Sequence, residues 1–154
     1  MGPVMSLDAA LRVALARLGI AAPISVGFEL THLCNLECSY CDRHTPMPGE
    51  MTLDQIRAAL SELHELGMRH VSLDGGEPLA HREIARVVDW LCGMRDVRVY
   101  MNTNGILVPR KLDAVRRLSR VKISLDGPAT QHDAVRGAGS HARAAVRWQP
   151  TLSC

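Results

Sequence analysis

Three cysteines fall within one short run, Cys34-Asn-Leu-Glu-Cys38-Ser-Tyr-Cys41, and no fourth cysteine lies close by. Three thiolates on one loop can hold a metal centre and leave a coordination position free. A structural zinc site normally closes its tetrahedron with a fourth protein ligand. A cubane iron–sulfur cluster has four irons, so three cysteines leave one iron open for chemistry. His32 and His44 flank the run, which keeps a Cys₃His zinc site open as the alternative. Cys92 sits between Leu91 and Gly93 in a helical pattern and reads as an inert core thiol. Cys154 is the last residue, and the spacing places neither as a fourth ligand.

The elements that must position this loop show a regular alternation. Leu7, Leu11, Leu15 and Leu18 recur at helical spacing, with Ser6 as a cap and Gly19 as a stop, so residues 1–23 read as an amphipathic helix and linker. Ile24 to Thr31 reads as a strand that ends at the cysteines. Thr52 and Gln55 form a capping pair for a helix carrying Leu53, Ile56, Leu60 and Leu63, which Gly67 closes. Val71 to Asp74 is a second strand, broken by Gly75-Gly76-Glu77-Pro78, and Ile84, Val87, Val88 and Leu91 stripe the next helix. Val97 to Thr103 is a third strand. Pro109 suits the first position of a helix that continues through Leu112, Val115 and Leu118. Val121 to Leu125 is a fourth strand, broken by Asp126-Gly127-Pro128, and a further helix begins at Gly139-Ser140.

Strand–helix alternation implies right-handed crossovers and a parallel sheet. Each unusual loop follows the C-terminal end of a strand, the edge at which parallel barrels and open sheets bind ligands. Four such loops predict one active site on one rim. The fold class is therefore α/β. The main domain spans 24–147, and 148–154 form an irregular tail.

With these loops in place, the chain resembles the radical S-adenosylmethionine (radical SAM) superfamily. The cysteine run, with Tyr40 before its last cysteine, and the Phe28-to-Leu36 approach resemble the first-strand motif. Gly75-Gly76-Glu77-Pro78-Leu79 is similar to the second. Asn102-Thr103-Asn104-Gly105 and Ile123-Ser124-Leu125-Asp126-Gly127-Pro128 are similar to the third and fourth. The run His132-Asp133-Ala134-Val135-Arg136-Gly137 resembles the branch of molybdenum-cofactor enzymes and SPASM-type peptide or sulfatase maturases.

The resemblance implies that Cys34, Cys38 and Cys41 anchor a [4Fe–4S] cluster whose open iron chelates the amino and carboxylate groups of S-adenosylmethionine. An electron from the cluster would then cleave the sulfonium to a 5′-deoxyadenosyl radical, which abstracts hydrogen from a substrate; such chemistry belongs to the cofactor. Glu77 would accept from the methionine ammonium, and Gly75 and Gly76 would let backbone approach the ligand. Ser124 would face the ribose, with Asp126 shaping the turn, and Tyr40 would lie against the adenine. Thr103 would face ligand or substrate, while Asn104-Gly105 reads equally well as a plain turn. The implied partners are a reductant such as flavodoxin or ferredoxin and a small-molecule or peptide substrate.

The resemblance also implies a fold: a partial (β/α) barrel, normally of six units, preceded here by the N-terminal helix. A full eight-fold barrel takes about 250 residues. After the first 23, this 154-residue chain has length for about four units. The expectation is a radical SAM enzyme, or an N-terminal fragment of one, with an inactive cluster-binding product or a zinc-stabilised binding module as alternatives.

Composition sets further bounds. Aromatics are 3% of the chain, so Leu, Val, Ile, Ala and Met must build the core. Residues 110–154 hold 9 basic and 3 acidic side chains; these read as solvated faces or a surface for another segment, and nucleic acid is not an expected partner. Five cysteines, three of them crowded together, are no secreted disulfide framework and imply a reducing, cytoplasmic setting. No apolar run approaches the ~18 residues of a bilayer span, and the N-terminus lacks a signal-peptide pattern. His64, His70 and His81 read as surface residues.

Overall fold

The computed structural model describes residues 23–42 and 49–145, together with positions 11, 14 and 18. The N-terminal helix expected over 1–23 lies almost wholly outside the described residues, as do His44, Cys154 and the 148–154 tail.

Four strands form one parallel sheet in the order β1-β2-β3-β4: β1 Ser25–Thr31, β2 His70–Gly75, β3 Arg98–Thr103 and β4 Arg120–Ile123. Between them run α1 Leu53–Glu65, α2 Ile84–Cys92 and the single turn α3 Leu112–Val115. Two helices follow β4: α4 Ala129–Arg136 and α5 Ser140–Ala144. This is the expected partial (β/α) barrel.

The capping box at α1 is complete: Thr52 Oγ1 accepts from the Gln55 amide, and the Gln55 side chain accepts from the Thr52 amide. Its apolar stripe, Ile56 and Leu60, and that of α2, Val87, Val88 and Leu91, are fully buried against the sheet residues Val71, Leu73, Val99 and Met101. Period-two alternation leaves Ser72, Asp74, Tyr100, Asn102, Arg120 and Lys122 on the opposite face. That face is polar and open, whereas a parallel sheet covered on both sides reads as continuous apolar runs.

Two local expectations change. The helix expected from Pro109 onward is split into a 3₁₀ turn, Val108–Arg110, and α3, because Lys111 takes a non-helical conformation at φ −125°, ψ 26°. Helix α4, which contains the whole His132-to-Arg136 run, is an element that the sequence pattern does not mark. Its length is short and its apolar content low, so periodicity gave little signal.

Candidate cofactor site at the strand ends

The second-strand loop is built by backbone approach. The Gly76 amide donates to the Thr31 carbonyl, and the Glu77 amide donates to the Leu33 carbonyl, each at 2.8 Å. A Cβ at Gly75 would lie 2.2 Å from the Thr31 carbonyl oxygen, and Gly75 has φ +131°. One at Gly76 would lie 2.5 Å from the Leu33 carbonyl oxygen and 2.7 Å from that of His32. Only glycine allows this contact, which fixes the entry to the cysteine loop. The far side of that loop is held by α4, where the Ser39 amide donates to the Val135 carbonyl at 2.9 Å.

Glu77, expected to meet the methionine ammonium, is not among the residues lining the pocket. Its side chain is fully buried and hydrogen-bonds residues that line the pocket. Oε1 accepts from Thr103 Oγ1 at 2.7 Å and the Leu79 amide at 3.1 Å, and Oε2 accepts from the Asn104 amide at 2.8 Å. The reason is local: Glu77 is the N-cap of the 3₁₀ turn Pro78–Ala80, which draws the carboxylate back over its own chain and onto the end of β3. Burial pushes its pKa up, against the opposing effect of these three hydrogen bonds.

Asn104 extends the tie. Its side-chain amide donates to Asn35 Oδ1 at 2.8 Å and lies 4.0 Å from the Cys34 sulfur, so the third-strand loop reaches the cysteine loop directly. It is a turn residue and a site residue together. At the fourth strand, the Ser124 amide donates to the Thr103 carbonyl at 2.9 Å and places Ser124 on the pocket wall.

Asp126 does not line the pocket and is hydrogen-bonded to Arg136. Arg136 donates to it from Nε and, at 3.1 Å, from Nη2; this fork holds the Asp126 carboxyl below its usual range. The guanidinium stands 5.6 Å from the centre of the Tyr40 ring. Arg136 itself lines the pocket. In the sequence it is only one member of a motif run, because nothing local says which way its side chain points. The rest of that run supports it. His132, nearly fully buried, accepts from the Asp126 amide at 3.3 Å, and Asp133 accepts from the amides of Gly139 and His141 at 2.8 Å.

One pocket of about 200 Å³ thus brings together Cys34, Cys38, Cys41, Tyr40, Gly75, Gly76, Thr103 and Ser124, with Asn104 and Arg136 added. Glu77 and Asp126 do not line it but hydrogen-bond residues that do, Glu77 to Thr103 and Asn104 and Asp126 to Arg136. His81, expected at the surface, is fully buried, its Nδ1 accepting from the Glu83 amide at 3.2 Å. His70 is half-buried and stacked on Tyr100. Cys92 is half-buried, with its thiol against the Arg117 carbonyl at 3.0 Å.

The donor set fits a cluster. Burial raises the Cys34 and Cys38 thiols, and Arg136 opposes that rise at Cys38. Among the described residues no three His, Cys, Asp or Glu side chains close on a point that would hold a single ion. Tetrahedral zinc needs thiolates at about 2.3 Å from one centre, whereas a cubane spreads them over separate irons. Three thiols line one pocket and supply the soft sulfur donors that an iron–sulfur cluster takes. Among the described residues no helix is long and apolar enough to cross a membrane.

Residues 28–147 match the sequence profile of the Radical SAM superfamily. The mycofactocin maturase MftC of Mycobacterium ulcerans (strain Agy99) is 36% identical over 132 residues, which cover 82% of this chain and 36% of that protein. The PqqA peptide cyclase of Rhodopseudomonas palustris (strain ATCC BAA-98 / CGA009) is 35% identical over 142 residues, covering 84% of this chain and 37% of that one. Streptococcus suis SuiB bound to S-adenosylmethionine shares the fold with a TM-score of 0.69 at 17% identity, over 91% of this chain and 36% of SuiB. The chain spans about a third of the length of the curated relatives it matches. A family match across the parallel half-barrel, whose motif loops meet at one pocket, means that this chain belongs to the radical SAM superfamily, enzymes whose cofactors are a [4Fe–4S] cluster and S-adenosylmethionine.

Proposed function

We propose that this chain is the cofactor-binding part of a peptide-modifying radical SAM enzyme. The observation that carries this reading is the single pocket shared by three thiols, the glycine pair, Ser124 and Arg136. Cys34, Cys38 and Cys41 would hold the cluster, and when bound it supplies the electron that splits S-adenosylmethionine into methionine and a hydrogen-abstracting 5′-deoxyadenosyl radical. Gly75 and Gly76 give close backbone approach to the methionine end, and Ser124 and Thr103 offer hydroxyls to the ribose side. Arg136 sets a positive charge beside Cys38, where three thiolates and a carboxylate accumulate negative charge. Tyr40, exposed on the pocket rim, offers a flat surface to the adenine, with its other neighbour the Arg136 guanidinium. Glu77 and Asp126 act as positioning residues, one for the third-strand loop and one for Arg136.

Peptide substrates are supported by the relatives, named for maturation of mycofactocin and cyclisation of the PqqA peptide. A flavodoxin- or ferredoxin-type protein is the fitting reductant. Anaerobic reconstitution should give about four irons per chain, with an electron-spin-resonance signal of the reduced cluster that changes on adding S-adenosylmethionine. Zinc uptake without iron, abolished by replacing His32 and His44, would overturn the reading.

A further inference from the structure

We propose that the open face of the sheet carries a carboxylate-binding subsite on β3 and β4, beside the cofactor pocket, that receives an acidic group of the peptide substrate; this rests on the proposed function. A cleft of about 220 Å³ on that face is lined by Ser72, Tyr100, Met101, Asn102, Arg120 and Lys122. It contains two cations and no anion. No carboxylate among the described residues lies within ion-pair distance of either cation.

The cleft is built across the strands. In register, Ser72 pairs with Tyr100, Tyr100 with Arg120, and Asn102 with Lys122. The Arg120 guanidinium lies 5.8 Å from the centre of the Tyr100 ring. That ring is itself fixed by His70, which stacks on it with centroids 5.8 Å apart and meets its hydroxyl through Nδ1 at 3.1 Å. The ring holds the Arg120 guanidinium beside the cleft, and a carboxylate matches the planar donor fork of arginine with two parallel bonds. Asp74, on the same face, accepts from the Asn102 side-chain amide, which also donates to Ser72 Oγ at 3.3 Å. Asp74 is therefore occupied by a neutral donor and leaves the cations free for a ligand.

Asn102 is the link to chemistry, because it lines both this cleft and the cofactor pocket. Strands rise about 3.3 Å per residue, so a carboxylate held at Lys122 sits roughly 7 Å below Ser124 on the rim. An acidic group seated there would present the neighbouring carbons of its peptide to the pocket containing the three thiols. The subsite thus selects substrate and sets which part of it faces the cofactor.

The test uses the full 154-residue chain and amide-resolved NMR titration with three probes. N-acetylglutamate amide carries only a side-chain carboxylate, N-acetylglutamine only a terminal one, and N-acetylglutamine amide neither. Saturable shifts at Tyr100, Asn102 and Lys122 are expected with a charged probe and absent with the neutral one, and the tighter charged probe identifies the source. Binding should weaken at least tenfold in R120Q/K122Q and persist in R110Q/R116Q, which removes two exposed cations elsewhere. Equal shifts with the neutral probe, shifts with inorganic phosphate alone, or no effect of R120Q/K122Q would overturn the subsite. The titration needs neither cluster nor S-adenosylmethionine. A chain that binds the probe but takes up no iron would keep the subsite and sink the proposed function, and the reverse result would do the opposite.

Discussion

Thr103 Oγ1 donates a 2.7 Å hydrogen bond to Glu77 Oε1, joining the end of the third strand to the loop after the second inside the protein. The same carboxylate accepts from the Asn104 amide at 2.8 Å. Asn104 in turn reaches Asn35 in the cysteine loop, so three of the four motif loops are tied through one buried side chain. Replacing Glu77 by Gln keeps the shape but turns an NH₂ toward an N–H or O–H donor. The expected cost is about 1–3 kcal/mol of stability, read as a lower urea midpoint, together with weaker S-adenosylmethionine binding by equilibrium dialysis. Unchanged stability would show that the tie carries no weight.

The pH dependence of the same residue has a defined sign. Burial raises the folded pKa of Glu77 above its unfolded value, so the folded state holds the proton more tightly. Its contribution to stability is fully present below the unfolded value of about 4.3 and is lost as pH rises through the raised folded pKa. This loss should vanish from the stability–pH profile of Glu77→Gln.

Asp126 has the opposite sign. The Arg136 fork lowers its folded pKa, so the stabilisation it contributes is present above about 3.9 and disappears as pH falls through the lowered value. Asp126→Asn should flatten that acid limb. It should also release Arg136 from its station beside Tyr40, read as a shift of the Tyr40 ring resonances by NMR.

Gly76→Ala should displace the entry to the cysteine loop, since its Cβ would meet backbone carbonyls at 2.5 and 2.7 Å. Overpacking of this kind costs about 1–3 kcal/mol and should lower iron content after reconstitution. Gly27→Ala is the control, because its Cβ would meet only Asp74 Oδ2, at 3.5 Å. Equal iron in both variants would mean that the close approach is dispensable.

Serine at Cys34, Cys38 or Cys41 should each reduce iron from about four per chain toward zero. Serine at Cys92, whose thiol lies against the Arg117 carbonyl and outside the pocket, should leave it unchanged. Measured iron and the visible charge-transfer band separate the two groups.

Much of the architecture could be read from residue order because it rests on local rules. Thr52 and Gln55 cap a helix through contacts three residues apart. Val71, Leu73, Val99 and Met101 alternate with polar neighbours because strand side chains have a period of two. The cysteine spacing and the placement of every special loop after a strand end likewise follow from sequence, and with them the common rim. Tertiary structure decided the directions of side chains whose partners are distant in the chain. Glu77 turns inward because Thr103 and Asn104 lie across a strand pair, and Arg136 enters the pocket because α4 packs back on the cysteine loop. His81 is buried, and Arg120 stands over Tyr100, for the same reason: sequence sets what a residue can do, while the packing of remote segments determines what it meets.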